Sequence, residues 1–104
     1  MVIFKKRLLE LVLQGRKTQT RRLHRHRLRP GKIYQLKDNY YGQPQGFIKI
    51  KRRFEQRLGD MTEEEARAEG VKDLADFREL WKSINGDWSP DQVVTAYEFE
   101  LAEK

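Results

Sequence analysis

Three strand-like stretches, residues 18–23, 32–37 and 47–54, follow one another with only eight and then nine residues between them. A parallel crossover needs a dozen or more residues, so neighbours in this run are expected to pair antiparallel. Pro30-Gly31 marks the turn before the second stretch, where Ile33 and Gln35 alternate with Tyr34 and Leu36. In the third, Ile48 and Ile50 share one face and Lys49, Lys51 and Arg53 the other. The first is polar on both faces, which is unusual for a piece of core. A fourth stretch, residues 93–101, sets Tyr97, Phe99 and Leu101 against Glu98 and Glu100 as a half-buried strand.

Helical spacing fills the rest. Over residues 4–14, Phe4, Leu8, Leu11 and Val12 form one stripe, widened by Leu9 and Leu13, and Gly15 stands where a helix end wants positive φ. Thr62 and Glu65 have the spacing of a capping box, and Gly70 ends that short helix. Asp73 is placed to cap a longer one carrying Leu74, Phe77, Trp81 and Ile84 with Leu80 beside them, closed by Asn85-Gly86. Phe77 and Trp81 are read as core; Trp88, in a loop, is left open. The order α, β, β, β, α, α, β predicts an α+β, mainly β fold: a small, strongly curved sheet or pseudo-barrel with short helices at its rim, in one domain over residues 1–104.

The chain has no cysteine, which excludes disulfides, zinc-thiolate and iron–sulfur sites and thiol nucleophiles. Its longest apolar run, Met1 to Phe4, is too short for a signal peptide or a membrane span, so a cytoplasmic location and no membrane partner are expected. No cofactor is expected.

Charge is unevenly shared. Residues 1–59 hold 17 Lys and Arg against 3 Asp and Glu; residues 60–104 hold 5 against 13. Either the halves neutralise each other across the fold, or the first half meets an anionic partner, nucleic acid before membrane. The densest run is Arg16, Lys17, Arg21, Arg22, Arg25, Arg27 and Arg29, with His24 and His26 and no acid among them. Arginine's planar fork suits phosphate, so this run is expected to bind a polyanion; a charged strand edge kept soluble is the alternative. The two histidines at i, i+2 have a metal-pair spacing, but the surrounding cations and missing carboxylates disfavour a metal there. Tyr40 and Tyr41, in a loop with glycines, are either a stacking platform for bases or a lid over the core edge.

Lys17 and Thr20 are the candidate chemistry. A threonine hydroxyl needs a base to become a nucleophile, and lysine serves if like-charged neighbours lower its pKa. In a regular strand residues 17 and 20 would face opposite ways, so the pairing requires Lys17 to belong to the turn after Gly15.

The run Gly15-Arg16-Lys17-Thr18-Gln19-Thr20-Arg21-Arg22 resembles the G-x-K-x-x-[E/T]-x-R signature of the ASCH domain, in the PUA-like superfamily. The landmarks Pro30-Gly31-Lys32, Gly59 to Ala66, Trp81, Ile84-Asn85-Gly86, Trp88, Pro90 and Tyr97 to Glu100 follow in the order those proteins show. The resemblance implies a pseudo-barrel with a cleft beside the signature and a role in RNA or nucleotide binding, through Arg16, Lys17, Arg21, Arg22, His24, Arg25, Arg27, Tyr40 and Tyr41. One branch of the superfamily hydrolyses N4-acetylcytidine with a lysine, a threonine and a glutamate, which fall by position on Lys17, Thr20 and Glu69. That implies an amidohydrolase as the second expectation; a metal-assisted ribonuclease is the third, disfavoured by the lack of carboxylates over residues 11–37. Arg21 departs from that branch, where an apolar residue stands, and the Arg/His tail to Arg29 is more basic.

Overall fold

In a computed structural model the described residues are 1–23 and 27–103. Five strands form one sheet in the order β1-β3-β4-β5-β2. These are β1 (Val2–Ile3), β2 (Gln19–Arg22), β3 (Ile33–Lys37), β4 (Gly46–Arg57) and β5 (Val93–Ala102). The expected antiparallel pairing holds for β3 with β4, but β2 does not pair with β3: it lies antiparallel on β5, which itself pairs antiparallel with β4. The remaining strand, β1, has two residues, too few to show a period in the sequence, and pairs parallel with β3 at Leu36 and Lys37. Its partner lies some thirty residues away, and the intervening chain supplies the crossover.

Between Ile50 and Arg52 the β4–β5 register shifts, inserting Lys51 as a bulge. Such an extra residue bends the strand and deepens the twist. The sheet curls into a half-barrel with three short helices, α1 (Lys6–Leu13), α2 (Glu63–Ala68) and α3 (Leu74–Asn85).

The helix ends follow the expected chemistry. Thr62 Oγ1 accepts from Glu65 N while Glu65 Oε1 accepts from Thr62 N, the reciprocal capping box. Asp73 Oδ1 accepts from Asp76 N at the start of α3. Gly15, Gly70 and Gly86 all take positive φ past the three helix ends.

Two hydrophobic clusters lie against the sheet. One joins α1 to Val2, Phe4, Leu36, Ile48, Ile50, Tyr97 and Phe99; the other joins Leu58, Met61, Ala66, Phe77, Trp81 and Val94 under α2 and α3. Because β5 feeds Tyr97 and Phe99 into the first and Val94 into the second, both its faces are covered, and simple alternation understated its burial. Three residues of the expected stripes are exposed instead: Leu13 at the end of α1, Ile84 on a cavity rim and Leu101 near the end of β5. Among the described residues no helix is long and apolar enough to cross a membrane.

Candidate functional site

Strand β2 is an edge strand, with α1 on one side and α2 and α3 on the other, and the seam between the two clusters opens beside it. A cavity of about 260 Å³ lies there, its walls including Phe4, Leu8, Phe77, Leu80, Trp81 and Ile84 and its polar lining Lys5, Lys17, Thr20, Arg21, Arg22 and Glu69.

Lys17 enters this cavity from the turn, not from the strand, which resolves the parity difficulty. Gly15 at φ +78° reverses the chain, and the backbone N–H groups of Arg16 and Lys17 both donate to Leu11 O, at 2.9 and 3.1 Å. Thr18 N then donates to Ala68 O at 2.7 Å, fastening the turn to the end of α2. Thr18 O accepts from Phe99 N, so by strand alternation Gln19 O faces the free edge of the sheet. There it accepts from Lys17 Nζ at 2.9 Å.

Lys17 is 2% exposed, and its ammonium donates three bonds: to Gln19 O, to Glu69 O and to Glu69 Oε1 at 2.8 Å. Three donors describe the protonated form. Burial pushes its pKa down, and Arg22 and Arg21 add to the push, while Glu69 pulls it back up. The outcome is an ammonium held in place by geometry yet easier to deprotonate than an ordinary lysine.

Glu69, 3% exposed at the end of α2, also accepts from Arg21 Nη1 through Oε2 at 3.0 Å. Arg21 points to the α2 side of the sheet. Its Nη2 donates to Glu65 Oε2, its Nε to Gln56 Oε1 and its Nη1 also to Gln19 Oε1. This corrects the expectation that Arg21 meets a polyanion: its side chain is wholly buried and its donors are taken by the protein. The physical reason is the carboxylate pair Glu65 and Glu69, one helical turn apart on α2, facing β2. Glu65, read from sequence only as a cap, therefore serves both the capping box and Arg21. The i, i+4 acid pair opposite a basic strand is the signal that reveals it.

Thr20 and Arg22 lie on the other face of β2. Thr20 Oγ1 accepts from Arg22 Nε at 3.3 Å, and Arg22 Nη2 donates to Ile3 O at 2.9 Å. The Arg22 guanidinium stands 4.7 Å from the centre of the Phe4 ring. Lys17, Thr20 and Glu69 thus share a cavity, but among the described residues no hydrogen bond joins Lys17 Nζ to Thr20 Oγ1.

Of the remaining candidates, Arg16 and Arg27 are exposed, Arg27 loosely paired with Glu55 at 3.4 Å. Tyr40 and Tyr41 are exposed, Tyr41 at 92%, with ring centres 5.2 Å apart edge to face. His24 and Arg25 lie outside the described residues, as does His26. Among the described residues no three His, Cys, Asp or Glu are grouped to hold a metal ion.

A half-barrel sheet with rim helices closing on a cavity at its edge strand is a PUA-like architecture. A profile of the ASCH domain matches residues 1–103, and the chain belongs to that family. Solved structures agree on the fold. An ASCH domain from Lactobacillus crispatus JV V101 superposes with a TM-score of 0.79 at 19% identity, over 90% of this chain and 69% of that one. A protein from Enterococcus faecalis V583 gives 0.71 at 23% identity, over 92% and 67%. A hypothetical protein gives 0.71 at 20%, over 95% and 94%. No curated protein matches the sequence.

Proposed function

We propose that the chain is a single RNA- or nucleotide-binding domain that seats one base or nucleoside in the cavity beside β2 and carries the rest of the ligand over the basic surface outside it. The observation that carries this reading is the lining: aromatic walls from Phe4, Phe77 and Trp81 meet a floor of buried Lys17, Thr20 and Glu69 and half-buried Arg22. Flat apolar walls suit a base, and a few fixed polar groups orient it. At about 260 Å³ the volume lies at the small end for ligand sites, matched to a base or nucleoside and not to a bulky cofactor. The exposed Arg16, Arg27, Tyr40 and Tyr41 would act on backbone and neighbouring bases, and the PUA-like fold's frequent link to RNA supports the class of ligand. The test is anisotropy of a labelled short single-stranded RNA. Affinity falls about tenfold or more between about 50 and about 200 mM salt, because engaging several phosphates releases counterions and added salt opposes that release. Absent or salt-independent binding refutes the reading.

Acyl transfer is the second reading, on the single observation that Lys17, Thr20 and Glu69 line one cavity. In that reaction Thr20 Oγ1 attacks the acetyl carbonyl of N4-acetylcytidine, Lys17 takes the hydroxyl proton and passes it to N4 as the C–N bond breaks and cytidine leaves, and water hydrolyses the acyl-threonine to acetate. For this Lys17 must first lose a proton and exchange one of its bonds to Gln19 or Glu69 for Thr20 Oγ1, which is why binding ranks ahead of catalysis. Acetate release that vanishes in both Lys17→Ala and Thr20→Ala establishes it; turnover surviving in either variant removes it.

A further inference from the structure

The charges around the cavity do not balance. Its lining includes four cations, Lys5, Lys17, Arg21 and Arg22, and one carboxylate, Glu69. Glu69 is already divided, Oε1 holding Lys17 and Oε2 holding Arg21, and Arg21's second ion pair goes to Glu65. Lys17, Glu69, Arg21 and Glu65 therefore alternate in sign and close as a neutral chain.

Arg22 is left over. The acceptors it has, Thr20 Oγ1 and Ile3 O, are neutral, and among the described residues no carboxylate lies within 4.0 Å of its guanidinium and no protein acceptor takes Nη1. Burial pushes its pKa down, and Glu69, out of ion-pair range, and Tyr97 together recover only part of that. Lys5, exposed on the rim of the same cavity, likewise has no carboxylate in range among the described residues. A half-enclosed guanidinium with an unused donor and no counter-ion is costly for a protein to keep, and the cost is recovered when a ligand brings the charge.

We propose that Arg22, with Lys5 at the rim, forms an anion subsite, so that the cavity's ligand carries a negative group, phosphate or carboxylate, next to its base. The inference rests on the base-binding reading above for the rest of the ligand, but the anion subsite stands on the charge count alone. A neutral nucleoside shields Arg22 from water without pairing it and so binds more weakly than its anionic counterpart.

Calorimetry at one fixed ionic strength tests this with the four ribonucleosides, their 5′-monophosphates, inorganic phosphate and acetate as separate probes. The favoured monophosphate binds roughly tenfold or more tightly than its nucleoside, the size of a charge-assisted contact at a buried site. Arg22→Gln removes that advantage, Arg22→Lys keeps part of it, and Lys82→Gln, on the exposed side of α3, leaves it intact. Phosphate outcompeting acetate names the group as phosphate; the reverse names carboxylate. Equal affinity for nucleoside and monophosphate overturns the subsite while leaving base binding in place. Binding of phosphate or acetate lost in Arg22→Gln, with no nucleoside or nucleotide bound, overturns base binding and upholds the subsite. If no probe binds, both fall. Should Arg22→Gln fail to fold in a thermal melt, the nucleoside-to-monophosphate ratio of the unmodified protein decides the matter by itself.

Discussion

Glu69→Gln changes almost nothing in shape and removes one charge. In the folded protein that charge faces Lys17 Nζ at 2.8 Å and Arg21 Nη1 at 3.0 Å, with Glu69 only 3% exposed. A glutamine can turn its carbonyl to one of the two, but its amide N–H₂ then confronts the other, donor against donor. Arg21 retains Glu65; among the described residues Lys17 has no second carboxylate. Breaking a buried pair in this way costs about 3–5 kcal/mol, because a charge stays buried and uncompensated. Against the roughly 5–15 kcal/mol that holds a domain folded, this is about a fifth of the total or more. At about 4–8 °C per kcal/mol for a domain near this size, the melting midpoint drops by roughly 12–40 °C. Urea unfolding followed by tryptophan fluorescence measures it, since Trp81 is buried against Phe77 in the second cluster. Adding Lys17→Met to Glu69→Gln then restores part of the loss, since the glutamine carbonyl becomes free for Arg21. A cost for Glu69→Gln below about 1 kcal/mol refutes the argument, that being the size of a surface pair. A double variant as unstable as the sum of its parts also refutes it.

Gly70→Ala strains a φ of +98° and sets a methyl 3.0 Å from Leu11 Cδ1 and 3.3 Å from Lys17 Cβ. It costs on the order of 1–2 kcal/mol by urea unfolding, and ligand affinity falls with it as Lys17 is displaced. The Glu65 carboxyl is pushed up by burial, but bonds from Thr62 and Gln56 and the charge of Arg21 outweigh this and hold it below its ordinary value. Its stabilisation is thus complete above the unfolded pKa of about 4.3 and lost as pH falls through the lower folded value, and Glu65→Gln flattens that acid limb. Lys17 gives the same sign in another window: burial holds its folded pKa below the unfolded value of about 10.4, so stability rises with pH between the two, and Lys17→Met abolishes the rise. Trp81→Ala removes a wall shared by the second cluster and the cavity, costing about 3–5 kcal/mol and weakening base binding in the same titration.

Local rules governed what was legible in the chain. Short-range periodicity and capping chemistry located α1, α2 and α3 to within a residue or two, because Thr62 with Glu65, Asp73 with Asp76 and the terminal glycines act within one helical turn. Alternation located β3, β4 and β5 in the same way, though β4 runs to twelve residues, past the eight expected. The short β1 was invisible because two residues carry no period, and its pairing with β3 is settled only by the packing of Phe4 and α1.

The motif Gly15 to Arg22 pointed, through sequence alone, to residues that line the cavity, and the resemblance placed Glu69 with them. What each of them does was decided by the tertiary fold. Strand parity sends Arg21 to one side of β2 and Thr20 and Arg22 to the other, and neighbouring arginines that look alike in the chain acquire opposite tasks. One meets two carboxylates on α2 and becomes structural; the other meets none and stays charged at a cavity. Charge composition counts cations, but only packing determines which of them a buried acid has already neutralised.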